Sequence, residues 1–107
     1  MPVNERRGEI AAALDGREYR LCLTLGALAE LETALGVADL SALADRLGEG
    51  RIAARDMLQI IAAGLRGAGH AIDVDDVAQM RVDDGALGYA RITARLLAAT
   101  FRTGEAS

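Results

Sequence analysis

Between Gly8 and Leu23, apolar and polar positions alternate around the dipeptide Asp15-Gly16. That dipeptide is a strong signal for a two-residue hairpin turn, because both central residues must take positive φ. The turn predicts the pairs Leu14–Arg17, Ala12–Tyr19, Ile10–Leu21 and Gly8–Leu23 on one face. It puts Ala13–Glu18, Ala11–Arg20 and Glu9–Cys22 on the other. Every large apolar residue except Cys22 falls on the first face, so a one-residue slip would scatter the set. A lone two-stranded sheet is marginal in water. Its apolar face needs a cover, and the segment beginning at Leu25 is expected to supply it.

From Leu25 onward the apolar period becomes helical. Thr24 can cap a helix over 25–35 that carries Leu25, Leu28, Leu31 and Leu35 and stops at Gly36. Asp39 can cap a second over 40–47, with Leu40, Leu43 and Leu47. A third over 53–66 holds Met57, Leu58, Ile60, Ile61 and Leu65, and Gly67-Ala68-Gly69 ends it. Asp73 with Asp76 three residues on forms a capping box for a fourth over 74–81. Asp83 or Asp84 caps the last, over 86–102. The chain therefore reads as mainly α, with an N-terminal β-hairpin (8–24) on a bundle of about five short helices. By strict count that is α+β, in one domain over 1–107. Met1–Arg7 and Thr103–Ser107 read as unanchored ends.

The last helix carries an excess of apolar positions. Leu87, Ala90, Ala94, Leu97 and Phe101 make one stripe at heptad-like spacing, and Tyr89, Ile92, Leu96 and Ala99 make a second beside it. A surface helix needs one apolar stripe of roughly 100°. Either the helix is packed on two sides, or one stripe is open to a partner. Heptad regularity and the Phe101 ring assign the first stripe to the core. Tyr89, Ile92 and Leu96 are then the expected partner-binding residues, exposed or buried against another copy of the chain. The 40–47 helix is the reserve candidate.

Composition narrows the chemistry. The chain has 107 residues, 51% of them hydrophobic, but Ala supplies much of that and buries little area. Lysine is absent, and all 12 basic residues are arginine. That excludes a phosphate loop and Schiff-base catalysis, both of which need the amine. Net charge is −4, and arginines are dispersed among acidic residues, which argues against nucleic acid as a partner. No apolar run approaches a membrane span or a signal peptide, and one cysteine cannot close an internal disulfide. These features suit a soluble cytoplasmic protein.

Candidate sites fail one by one. His70 is the only histidine, lacks companion ligands at zinc-like spacing, and reads as an exposed loop residue. Asp73, Asp75 and Asp76 begin like a calcium loop, but Val77 and Ala78 stand where an oxygen ligand and a glycine belong. Glu30 and Glu32, two apart on a helix, point to nearly opposite sides; Glu32 is expected at the edge of the leucine stripe, paired with Arg17 or Arg20. Gly67-x-Gly69 follows a helix and lacks the third glycine of a dinucleotide fingerprint. Cys22 reads as a packed, inert thiol, and Ser41 lacks any nucleophile-elbow context. The chain reads as non-enzymatic, with no metal or cofactor.

The block Arg7-Gly8-Glu9, Leu14-Asp15-Gly16 and Leu21-Cys22-Leu23-Thr24-Leu25-Gly26-Ala27-Leu28-Ala29-Glu30-Leu31-Glu32 resembles a known family. So do Ser41-Ala42-Leu43-Ala44, Ala54-Arg55-Asp56-Met57-Leu58, Gly64-Leu65-Arg66-Gly67 and Leu96-Leu97-Ala98-Ala99-Thr100-Phe101. The family is the tail assembly chaperones of alphaproteobacterial gene transfer agents and siphophage-like prophages, also labelled tail tube proteins. The resemblance covers almost the whole chain and is most specific in the hairpin-to-helix block. It implies a helper that coats the long helical tape-measure protein until tail tube subunits polymerise around it. The implied partners are the tape-measure protein and the tail tube protein, with homo-oligomers possible. A structural tail component that stays in the particle is the alternative reading, and a small helical regulator a weaker one. The resemblance brings no active-site or binding-site motif.

Overall fold

The computed structural model describes residues 8–50 and 52–105. Strands β1 (Glu9–Leu14) and β2 (Arg17–Cys22) pair antiparallel in the expected register, from Glu9 opposite Cys22 to Leu14 opposite Arg17. Asp15 at φ 56° and Gly16 at φ 76° supply the two positive φ angles of the turn. Ile10, Ala12, Leu14, Leu21 and Leu23 are buried, Tyr19 is half-buried, and Ala13 and Glu18 face solvent. The hairpin and its inward face follow from the alternation.

Five helices follow: α1 (Leu25–Leu35), α2 (Leu40–Gly48), α3 (Ala54–Gly67), α4 (Val74–Ala78) and α5 (Gly85–Glu105). Their starts obey capping chemistry. Thr24 accepts from the Ala27 amide at 3.1 Å and Asp39 from the Ala42 amide at 2.9 Å. Asp73 and Asp76 close a full capping box. Gly36, in the left-handed region, ends α1. The short α4 stops before 81 because its last turn tightens, with the Gln79 and Met80 amides donating to the Asp76 and Val77 carbonyls three residues back. The segment 1–7 and the last two residues of the expected loose C-terminal end lie outside the described residues.

The cover of the hairpin differs from the expectation. α3 packs on β2 and α5 chiefly on β1, while α1 packs on α3. Two glycines of α3 decide this. A Cβ at Gly64 would sit 2.6 Å from Leu96 Cδ2 and 3.3 Å from Leu21 Cβ. A Cβ at Gly67 would collide with the Cys22 carbonyl oxygen. Backbone-close approach therefore belongs to α3, and α1 forms the next layer out. The core runs from Ile10, Leu14 and Leu21 through Ile60, Ile61 and Leu65 to Leu96 and Leu97, with Leu31, Leu43 and Val77 at its margins.

Two polar ties fix the periphery. Arg46 of α2 donates to Asp56 at the start of α3 over 2.7 Å and to the Leu35 carbonyl over 3.4 Å. Asp56 also accepts from the Ala53 amide, so one buried carboxylate caps α3 and anchors α2. At the other end, the Asp15 amide donates to the Arg81 carbonyl at 2.7 Å and holds the hairpin turn to the α4–α5 loop.

Candidate partner-binding surface

On α5 the two stripes largely trade the places expected from sequence, with Leu97 in the core and Tyr89 half-exposed as expected. Ile92 is 6% exposed and Leu96 fully buried, with Ala99 and Leu97 beside them, all packed against β1 and α3. Leu87 is 55% exposed, and Ala90, Ala94 and Phe101 are only half-buried. Ile92 and Leu96 thus cannot meet a partner while the domain is folded. The reason is the α3 glycine: Gly64 leaves room for the Leu96 side chain, so α5 settles with that edge inward. Only Leu97 of the heptad stripe reaches the interior.

Tyr89 sits at the boundary. Its half-buried ring packs on the core while its hydroxyl lies 2.8 Å from the Val77 carbonyl and 2.7 Å from that of Met80. One phenolic proton is shared between two carbonyls at the C-terminal end of α4, that of Val77, which also accepts from the Met80 amide, and that of Met80 just past the helix. Burial first, and the Asp15 charge second, push the phenol above its ordinary value. Tyr89 is thus a structural pin between α4 and α5.

The outward stripe borders a groove of about 300 Å³ lined by Gly50, Ile52, Met57, Ala90, Thr93 and Ala94. Its walls are mostly apolar and come from the start of α3, the loop before it and the middle of α5. Arg91 and Arg95 stand exposed along the next face of α5, Arg91 bound to Asp84 at 2.8 Å. An apolar trough beside a basic row suits a helix or side chain with an acidic flank better than a small polar ligand.

The remaining sequence candidates separate. His70 is half-buried, not exposed, and its ring meets Tyr19 edge-to-face with centroids 5.2 Å apart. Glu32 pairs with neither hairpin arginine, because α1 does not lie on the hairpin. Arg17 stacks over Tyr19 at 5.5 Å, and Arg20 donates to the Ala68 carbonyl past the end of α3. Glu30 reaches Arg66 at 3.5 Å, with both side chains well exposed. Cys22 is half-buried on the outer face of the hairpin, and Ser41 is exposed. Among the described residues, no three His, Cys, Asp or Glu side chains gather as metal ligands, and no buried side-chain polar atom lacks a partner. No helix among them is long and apolar enough to cross a membrane.

What sequence reasoning missed is the pair Gly64 and Gly67 and the Arg46–Asp56 tie. The glycines carried a signal: three apart in the C-terminal half of an amphipathic helix, they mark one face where a neighbour comes close. The ion pair carried none, since its members lie on different helices.

A family model described as phage tail tube protein, GTA-gp10, matches residues 7–103. The chain belongs to this family. It is a tail protein of the gene-transfer-agent and phage type, and the description names the tail tube and not a tail assembly chaperone. The matched span takes in every strand and helix up to the final residues of α5. Neither the curated proteins nor the solved structures give a match to this tail protein.

Proposed function

We propose that this chain is a non-enzymatic structural component of a phage-like tail and is retained in the finished particle. The observation that carries the reading is the tail tube family match over residues 7–103. The surface agrees with it. A subunit that joins a tail on cue must fold alone and keep only modest apolar contact surface until then. Here Leu25 and Leu87 are the large hydrophobic side chains exposed among the described residues. Quantitative mass spectrometry of purified particles tests the reading. A structural component appears at a fixed stoichiometry to the other tail proteins, and absence from intact particles overturns it.

One observation favours the second reading, a chaperone for the tape-measure protein. α2 is amphipathic and packs mainly on α1 at the margin of the core, held there by buried Leu43 and the Arg46–Asp56 pair. A helix held by one buried leucine and one ion pair at the margin of the core can exchange its apolar contacts for those of a helical client. Under this reading the chain co-purifies with the tape-measure protein from producing cells and is missing from the particles. The partners in both readings are other tail proteins, and the site of action is the cytoplasm where tails are built.

A further inference from the structure

α2 joins the fold through a glycine-containing connection at each end. Gly36 at φ 68° opens the first and Gly50 at φ 69° lies in the second. Ala38, Asp39, Glu49 and Gly50 along these connections are exposed. Between them the helix is held on one side only. Leu43 is fully buried, whereas Ser41 and Asp45 face solvent. Three residues after Leu43, on the same side of the helix, Arg46 donates to the Asp56 carboxylate at 2.7 Å and to the Leu35 carbonyl at 3.4 Å. The guanidinium therefore spans the last residue of α1 and the first turn of α3. Asp56 is 9% exposed, and its other hydrogen bond comes from the Ala53 amide.

We propose that the place α2 occupies is a receptor site for an amphipathic helix of another tail protein, with α2 as its built-in plug. α2 itself defines what fits: a leucine and, three residues on, an arginine, both on the buried side. The need for a cation is electrostatic. A site emptied of Arg46 leaves a buried carboxylate without its counter-charge, so α2 leaves in exchange for an equivalent cation and not by itself. Arginine suits the site better than lysine, because its planar fork reaches the carboxylate and the carbonyl at once. The glycine connections let α2 swing out while the hairpin, α3 and α5 stay packed on one another. The tether grades the response. A covalently attached plug competes at an effective concentration of roughly millimolar, so a partner helix displaces it only where tail proteins are gathered at high local density. This plug deepens the α2 reading above and rests on it for the origin of the partner. Its chemistry is independent of whether the chain stays in the particle.

Fluorescence anisotropy of a labelled synthetic peptide of residues Asp39 to Gly50, titrated with the full chain, tests it. Arg46→Ala in the chain loosens the plug and frees Asp56, so this variant should bind the peptide at least about tenfold more tightly than wild type does. The same peptide carrying Arg46→Ala should lose at least about tenfold in affinity for that variant. Hydrogen exchange of wild type in millimolar peptide needs no variant to fold. There the α2 amides should lose protection while those of α3 keep theirs. No saturable binding to the folded variant, equal affinity for variant and wild type, or indifference to the arginine of the peptide overturns the proposal. So does α2 exchange that the peptide leaves unchanged. A dimeric Arg46→Ala chain that the peptide dissociates would put a second copy in the site, and the assignment to another protein fails. Mass spectrometry of particles reports on the fate of the chain and moves none of these readouts.

Discussion

The inner and outer faces of α5 are built from the same residue types and do different work. The inner face, Ile92, Leu96, Leu97 and Ala99, closes the core over β1 and α3. The outer face, Leu87, Ala90 and Ala94 beside Arg91 and Arg95, stays open along a groove. Composition does not separate them, since both are rich in Leu and Ala. Position relative to the glycine face of α3 does. A helix with two apolar stripes is therefore read by asking which stripe meets the closest-approaching neighbour, not which holds the larger ring.

The harshest way to break the contrast is a charge on the inner face. Ile92→Glu places a carboxylate among the buried apolar side chains of the core and should cost about 4 kcal/mol or more, a large share of total stability. Loss of the far-ultraviolet helical signal at room temperature checks it. Leu21→Ala, on the β2 side of the same core layer, should cost about 2–5 kcal/mol in urea unfolding, since Leu21 is fully buried against α3. Arg46→Ala acts away from α5 and sharpens the contrast differently. It leaves Asp56 buried with only the Ala53 amide, and should cost about 1–3 kcal/mol. Native-state hydrogen exchange should show the loss first in α2, with β2 and α3 still protected.

Tyr89, on the border between the faces, gives a smaller effect with a pH signature. Tyr89→Phe removes a hydroxyl shared by two carbonyls and should cost about 1 kcal/mol at neutral pH. The phenol is raised above 10.0 in the folded state, so the native form holds its proton more tightly than the unfolded form. Stability is then full below pH 10 and falls as pH rises from there through the folded value. In wild type the melting temperature should drop more steeply above pH 10 than in Tyr89→Phe, and equal slopes would contradict the pin.

Much of this was legible in the sequence. The hairpin register followed from Asp15-Gly16 and strict alternation, because a period-2 pattern has only two faces and a slip exposes the whole set. The helix starts followed from Thr24, Asp39 and Asp73, whose side chains act within three residues. What failed was anything requiring knowledge of which element lies next to which. Adjacency in sequence points to α1 as the cover of the hairpin, whereas the glycines of α3 admit closer packing. The same gap puts Ile92 and Leu96 on an expected partner surface and Leu87 in the expected core, whereas Tyr89 is half-exposed as expected. The expected pairing of Glu32 with Arg17 or Arg20 rests on the same neighbourhood and fails with it. The family likeness placed the chain among tail proteins, and the two labels it carried, chaperone and tail tube, describe different fates that no residue pattern distinguishes.

The most direct test sets the two faces side by side. Thermal melting by circular dichroism of Leu87→Glu and Ile92→Glu places the same charge on the same helix, five residues apart. Leu87 is exposed, so Leu87→Glu should melt within about 0.5 kcal/mol of wild type, while Ile92→Glu should show no cooperative transition. Equal stability of the two variants, or unfolding of Leu87→Glu with Ile92→Glu intact, would contradict the division of α5 into a face that folds the chain and a face that meets its partners.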